Sequence, residues 1–324
     1  MSVERREIAE AGFLRTTMEK DTTMVLEFDY FTTRDNLLIR WGFTPAVASP
    51  ARGTVLFLNG RTEYMEKYAE VVEELNQRGF EVYSCDWRGQ GLSDRMLDDS
   101  QKGHVTCFED YLDDLDQLMA IINRRGASSP FILLGHSMGG HIAARFIERY
   151  PGRFDRCILT SPMIDIQLPW FLPRAWLRRL ARTAVRKGRQ GAYALGAGGV
   201  KKRDRRFEGN PLTSDRARFE RNVAMIQHNP RLAVGGVTYG WFDAAMQSID
   251  RVAVPAFARS LRVPLLMVIA AKDQIVCRRA QERFYRHAID CRMVAIEGAR
   301  HELLVETDAR RAEFWNAFDR FVTM

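Results

Sequence analysis

Apolar positions along the chain fall into two kinds of run. Short, almost wholly apolar stretches include TVLFL at 54–58, FEVYSC at 80–85, FILLG at 131–135 and RCILT at 156–160. Between them lie longer stretches in which apolar positions recur every three or four residues: EYMEKYAEVVEELNQRG at 63–79, FEDYLDDLDQLMAIINRRG at 108–126 and HIAARFIERYPGRF at 141–154. A strand covered on both faces needs no polar alternation, whereas a surface helix keeps one apolar stripe. Gly79 and Gly126 close two of the predicted helices, and Pro151 stops the third. This strand–helix rhythm predicts an α/β architecture, a mostly parallel sheet flanked by helices on both faces. Upstream, MVLEFDYFT at 24–32 and NLLIRWGFT at 36–44 alternate and are joined by a short polar turn, which predicts an antiparallel hairpin at one edge.

The rhythm lapses from about residue 161 to 255, where the sequence reads as helix and loop, and resumes with VPLLMVIAAKD at 263–273, RRAQERFYRHA, RMVAIEG and RAEFWNAFDRFVT. The expected organisation is a core at 1–160, a helical cap insertion at 161–256 and the rest of the core at 257–324.

Composition changes this picture in two places. The five cysteines, Cys85, Cys107, Cys157, Cys277 and Cys291, are scattered without CxxC spacing, which argues against a disulfide framework or zinc site and suits a reducing compartment. The opening MSVERREIAEAGF lacks an apolar signal-peptide region, and VPLLMVIAA is far shorter than a membrane span. The expectation is a cytoplasmic protein able to rest on the inner face of a membrane. The net charge is +7, but 12 basic residues and one acid lie between Pro173 and Arg206, so that segment carries +11 and the remainder −4. Within PWFLPRAWLRRLARTAVRKGR, Trp170, Phe171, Trp176, Leu177, Leu180 and Val185 stand among arginines. Such a stretch suits an anionic bilayer surface, or else a helix packed on the core with its arginines solvated. No nucleic-acid motif accompanies the run KKRDRR, so no nucleic-acid partner is expected.

The chemistry concentrates at GHSMG, residues 135–139, where an apolar strand pattern gives way to a helix. In that context G-x-S-x-G describes a sharp turn that lifts Ser137 above the sheet, with glycines where strand and helix pack too closely for side chains. The helix N-terminus then faces any developing oxyanion. A serine hydroxyl needs a base, itself oriented by a third group. Among six histidines, His301 in EGARHELLVE follows the last strand and precedes the last helix; His136 should point away from Ser137, His141 packs or caps, His287 reads as surface, and His104 and His228 lie before the turn and in the insertion. Asp273, at the end of PLLMVIAAK, is the candidate acid, with Glu302 and Asp290 as weaker rivals. The turn Asn59-Gly60-Arg61 ends another central strand, so the N–H groups of Arg61 and Met138 are the candidate oxyanion donors.

GHSMGG, DWRGQGLSDR and GARHELLVE resemble motifs of the α/β-hydrolases, and more narrowly of the monoacylglycerol lipase and bacterial lysophospholipase group. FLNGRTEYMEKY, KGHVTCFEDYLDDL, GNPLTSDRARFERN and VGGVTYGW are similar to the lysophospholipase branch, and the resemblance runs from about Val25 to Phe321. It implies an α/β-hydrolase fold, a triad of Ser137, Asp273 and His301, oxyanion amides at Arg61 and Met138, and an architectural Asp86–Asp94 loop. Arg61 departs from the small residue of many lipases and would suit an anionic head group, or else point to solvent. The expected function is a serine carboxylester hydrolase acting on lysophospholipids or monoacylglycerols through an acyl-enzyme, with no cofactor, no metal and no obligate protein partner. The alternatives are a small-ester, peptide or amide hydrolase of this fold, or a non-catalytic ligand-binding protein.

Overall fold

Alternate residues of the central strands leave the sheet on opposite sides, and both sides are covered. The computed structural model describes residues 14–16, 26–168, 171–201 and 205–323. Strands β1 (Leu14–Thr16), β2 (Leu26–Thr32), β3 (Leu38–Thr44), β4 (Gly53–Leu58), β5 (Phe80–Cys85), β6 (Phe131–His136), β7 (Arg156–Thr160), β8 (Leu265–Ala270) and β9 (Cys291–Ile296) form one sheet in the order β1-β2-β3-β5-β4-β6-β7-β8-β9. The strands from β4 onward run parallel, and the first three pair antiparallel. The predicted hairpin is thus β2–β3, but β1 lies outside it and forms the edge.

Helices α1 (Ala69–Gln77), α2 (Glu109–Arg124), α3 (Met138–Arg149), α8 (Arg278–His287) and α9 (Asp308–Val322) cover the sheet. Val55, Phe57, Ile132, Leu134 and Val268 pack against α1 and α9, whose Leu75, Phe314 and Phe318 are buried. Leu56, Leu133, Leu159 and Met267 pack on the other side against α2, α3 and α8. The stretch predicted as one helix at 63–79 begins as a 3-10 turn, Met65–Tyr68, before α1.

Between β7 and β8 the described residues form α4 (Arg174–Arg186), α5 (Arg216–His228), α6 (Tyr239–Val252) and α7 (Pro255–Ser260), and no strand of the sheet. The expected boundary at 256/257 falls within α7. Ala181 of α4 packs on Phe242, Met246 and Ile249 of α6. A polar pin ties α6 to α3: His141 Nε2 lies 2.6 Å from Ser248 Oγ, His141 Nδ1 lies 2.8 Å from the Met163 carbonyl, and Arg145 donates to Ser248. His141 therefore packs, as its position suggested. Trp170 and residues 202–204 of the basic stretch lie outside the described residues.

The strand order reverses at β4, which has β5 on one side and β6 on the other. In open sheets of this kind ligands bind beyond the carboxyl ends of the strands at such a reversal. The turns after β4 and β6 are the two that the sequence singled out.

Candidate active site

Ser137 follows β6 with φ 54° and ψ −115°, a conformation that costs a side-chain-bearing residue free energy and persists because its surroundings enforce it. A Cβ on Gly139 would lie 2.2 Å from the Leu58 carbonyl oxygen, and one on Gly135 2.7 Å from that of Gly139. The Ser137 N–H donates to the Thr160 carbonyl at 2.9 Å, and its own carbonyl accepts from His141 and Met163. The serine is buried but borders a cavity of about 330 Å³.

His301 Nε2 lies 2.9 Å from Ser137 Oγ, and His301 Nδ1 lies 2.7 Å from Asp273 Oδ2. The second oxygen of Asp273 accepts from the Ile275 and Val276 N–H groups at 2.8 and 3.0 Å, which fixes the carboxylate. Burial pushes the Asp273 carboxyl up, but the His301 hydrogen bond and charge and these two amides outweigh it and hold it below the ordinary value. The rivals lie elsewhere. Glu302 pairs with Lys67 at 2.6 Å, and exposed Asp290 stands before β9, at the opposite end of the sheet. His104 bonds Thr238, and His228 is exposed at the end of α5. His136 Nδ1 lies 3.1 Å from Thr160 Oγ1 rather than against Ser137, and its ring centre is 5.1 Å from that of His301. Burial lowers its pKa to about 4, so it is neutral at pH 7.

The turn after β4 stands against the serine: a Cβ on Gly60 would lie 3.2 Å from Ser137 Cβ. Its backbone is held on both sides of Arg61. The Gly60 N–H donates to Glu63 Oε2, Gln90 Oε1 accepts from the Thr62 N–H at 2.5 Å, and Gln90 Nε2 donates to the Gly60 carbonyl at 3.3 Å. Among the described residues the Arg61 N–H has no partner, and the Met138 N–H, first in α3, has none four residues back in its helix. Two N–H groups left free among the described residues thus lie in the two turns that meet at Ser137, and an oxyanion would need such donors.

The sequence reading missed Glu63, Lys67 and Gln90. Burial raises the Glu63 carboxyl, but Lys67, His136 and the Gly60 amide together bring it well below the usual range. Lys67 is buried between Glu63 and Glu302, at 2.9 and 2.6 Å. The i,i+4 spacing of Glu63 and Lys67 was visible, but it reads equally as an exposed helix pair.

A serine, histidine and carboxylate in line, beside two amides left free and an apolar cavity, match what serine hydrolases assemble on several folds. The sequence pattern of the serine aminopeptidase S33 family matches residues 49–308. The chain belongs to the serine aminopeptidase S33 family. Over 292 residues it is 36% identical to lysophospholipase L2 of Escherichia coli K12, covering 87% of this chain and 83% of that protein. It is 27% identical to a probable lysophospholipase L2 of Haemophilus influenzae over 91% of both. A substrate-analogue complex of a soluble variant of Saccharomyces cerevisiae monoglyceride lipase superposes with a TM-score of 0.72 at 20% identity, over 95% of this chain and 97% of that one. A thermostable Bacillus coagulans carboxyl esterase gives 0.73 at 16% identity, over 93% and 99%. These structures share the α/β-hydrolase fold with the chain. This S33 member is an enzyme, an ester hydrolase, and no described helix is long and apolar enough to cross a membrane.

Proposed function

We propose that the enzyme cleaves acyl esters of single-chain lipids, lysophospholipids or monoacylglycerols, through an acyl-enzyme on Ser137. Ser137 Oγ attacks the ester carbonyl while His301 Nε2 takes its proton, and Asp273 keeps the imidazole in the required tautomer. The Arg61 and Met138 N–H groups receive the oxyanion. His301 returns the proton to the leaving alcohol, and a water attacks the acyl-enzyme by the same route. The observation that carries this reading is the line from Ser137 to Asp273 opening onto an apolar cavity walled by Leu177, Leu180, Val237, Trp241 and Phe242. All five come from the segment between β7 and β8, which we assign as a cap over the serine. That E. coli lysophospholipase L2 is a relative supports the lipid class.

The amide-hydrolase reading has less support. Among the described residues no carboxylate lines this cavity, so nothing there would hold the ammonium group of an aminoacyl substrate. The test is a series of p-nitrophenyl esters from acetyl to palmitoyl. Specificity should rise with length, each buried CH₂ contributing up to about 0.8 kcal/mol. A clear preference for acetyl esters or aminoacyl amides would overturn the reading.

The exposed face of α4 supports a peripheral role at anionic membrane. Trp176, Arg179, Thr183 and Arg186 are exposed and fall on one stripe of the helix, with Phe171 exposed just before it.

A further inference from the structure

A second cavity, of about 370 Å³, adjoins the first, and Arg61 lines both. The guanidinium of Arg61 does not turn to solvent. Its Nη1 donates to the Gly235 carbonyl at 3.0 Å, and its carbon lies 5.7 Å from the centre of the Trp241 ring. Among the described residues no carboxylate stands within ion-pairing distance of it. Four arginines buried deeper than Arg61 all have carboxylate partners. Arg40 pairs with Glu66 and Asp86, Arg88 with Asp35 and Asp114, Arg145 with Glu109, and Arg311 with Glu70 and Glu74. A guanidinium taken out of water without a counter-charge is costly, and its fork of N–H donors matches a phosphate or carboxylate. Burial pulls the Arg61 pKa down to about 10, which leaves it charged at neutral pH.

The second cavity differs in character from the first. Among the described residues its charged lining is Lys67, Lys201, Arg205 and Glu302, beside Arg61. Lys67 is already balanced by Glu63 and Glu302, so its charge is not the one on offer. One wall is formed by residues 196–199 and 235–236, tied by the Gly236 N–H to the Gly198 carbonyl at 2.7 Å. Ser137 borders only the apolar cavity. An ester held at Ser137 with its acyl chain among Leu177, Leu180 and Phe242 therefore has its alcohol portion directed past Arg61.

We propose that the second cavity is a head-group chamber in which the Arg61 guanidinium binds the phosphate of the substrate, so that the favoured class is lysophospholipids over uncharged monoacylglycerols. This rests on the ester-hydrolase reading above and narrows it. An uncharged glycerol would leave the half-buried cation unmatched, whereas a phosphate on the glycerol supplies the missing charge.

The experiment compares kcat/KM for three substrates with one acyl chain, all below their micelle concentrations: 1-oleoylglycerol, its 3-phosphate, and 1-oleoylglycerophosphocholine. The wild type should prefer both phosphate-bearing lipids. Arg61→Met, and Arg61→Gln, which keeps a donor for the Gly235 carbonyl, should lose about 10–100-fold more on those two than on 1-oleoylglycerol, mainly through KM, as expected for one charged hydrogen-bonded contact. Arg61→Lys should recover most of the difference. Fluorophosphonate labelling of Ser137 in each variant reads whether the site is assembled. Equal proportional losses on all three lipids would mean that Arg61 acts only through its turn and the cap, and would overturn the inference. So would inorganic phosphate inhibiting 1-oleoylglycerol turnover in an Arg61-dependent way while the lysolipids gain nothing, because the chamber would then take free anions. A wild type that cleaves p-nitrophenyl esters and 1-oleoylglycerol without preferring phosphate removes this inference alone. A wild type inactive on all three lipids removes the lipid reading with it.

Discussion

Ser137 and His301 lie on different elements, 164 residues apart, yet meet at 2.9 Å. If they act as one unit, Ser137→Ala and His301→Ala should each lower kcat on an ester by about 10³–10⁶-fold, and the double variant should lose little more. A fluorophosphonate should label Ser137 alone; labelling that survives Ser137→Ala would sink the assignment. His141 makes a different point, about which histidine the site does not use. Its Nδ1–H donates to the Met163 carbonyl and its Nε2 accepts from Ser248, whose oxygen is already engaged by Arg145. Burial depresses its pKa from 6.5 to about 3. The unfolded chain thus takes up the proton first as pH falls below 6.5, and stability present above that pH is lost towards about 3. Between pH 7 and 5 this one group should remove about 2 kcal/mol, at 1.36 kcal/mol per unit. His141→Gln will be less stable at pH 7, but its urea-measured stability should fall by about that much less on going to pH 5. Equal falls in the two proteins would show that His141 is not the group responsible. The three residues in line were legible in the sequence because each stands in the turn that follows a mostly apolar strand. Glu63, Lys67 and Glu302 were not, since Lys67 meets Glu302 across 235 residues and only the folded chain brings them together. The direction of the Arg61 side chain was hidden for the same reason, its acceptor Gly235 lying 174 residues away.

At the scale of elements, the turn from β6 into α3 is a packing constraint before it is a chemical one. Gly139 touches the backbone of Leu58 and Asn59, so a methyl group there must push β4 and the Gly60 turn away from the serine. Gly139→Ala should therefore cost roughly 3 kcal/mol or more, beyond ordinary overpacking because backbone has to move, and should lose ester turnover with it. Gly198 offers the control, since a Cβ there meets nothing within 4 Å, and Gly198→Ala should change the melting temperature by no more than a degree or two. A Gly139→Ala protein that melts like the wild type would show that α3 and β4 can separate without strain. The same reasoning explains which elements could be read in advance. β4, β6 and β8 are apolar almost throughout because both faces are covered, and the period of α1, α2 and α3 marks their single buried stripes. β1 escaped notice because it is three residues long and is paired on one side only. Met65–Tyr68 read as helix because a 3-10 turn leading into an α-helix keeps nearly the same spacing of buried positions.

Across the whole molecule, the concentration of charge in residues 173–206 becomes more specific once the partners of its arginines are known. Arg174 pairs with Asp165, Arg178 with Asp250 and Arg182 with Asp243, so three of the charges serve to hold α4 in place. Arg179, Arg186, Lys187 and Arg189 are exposed and form no ion pair among the described residues. Arg179 and Arg186 share one stripe of α4 with Trp176, 47% exposed, and Phe171, 64% exposed, stands just before the helix. Aromatic side chains beside unpaired cations are what an interfacial helix presents to anionic lipid. Each basic residue near such a surface contributes about 1 kcal/mol, so the triple variant Arg179→Gln, Arg186→Gln, Arg189→Gln should weaken co-sedimentation with phosphatidylglycerol vesicles by about 100-fold at low salt. The difference should shrink above 0.1 M salt, where exposed charges are screened beyond about 10 Å. Turnover of p-nitrophenyl butyrate by the triple variant should stay close to that of the wild type, because none of the three borders the cavity beside Ser137. Arg178→Gln should act differently, lowering the melting temperature by releasing α4 from Asp250 on α6. If wild type and triple variant bind phosphatidylcholine and phosphatidylglycerol vesicles equally poorly, the exposed arginines are a solvated face, and substrate must reach Ser137 from solution.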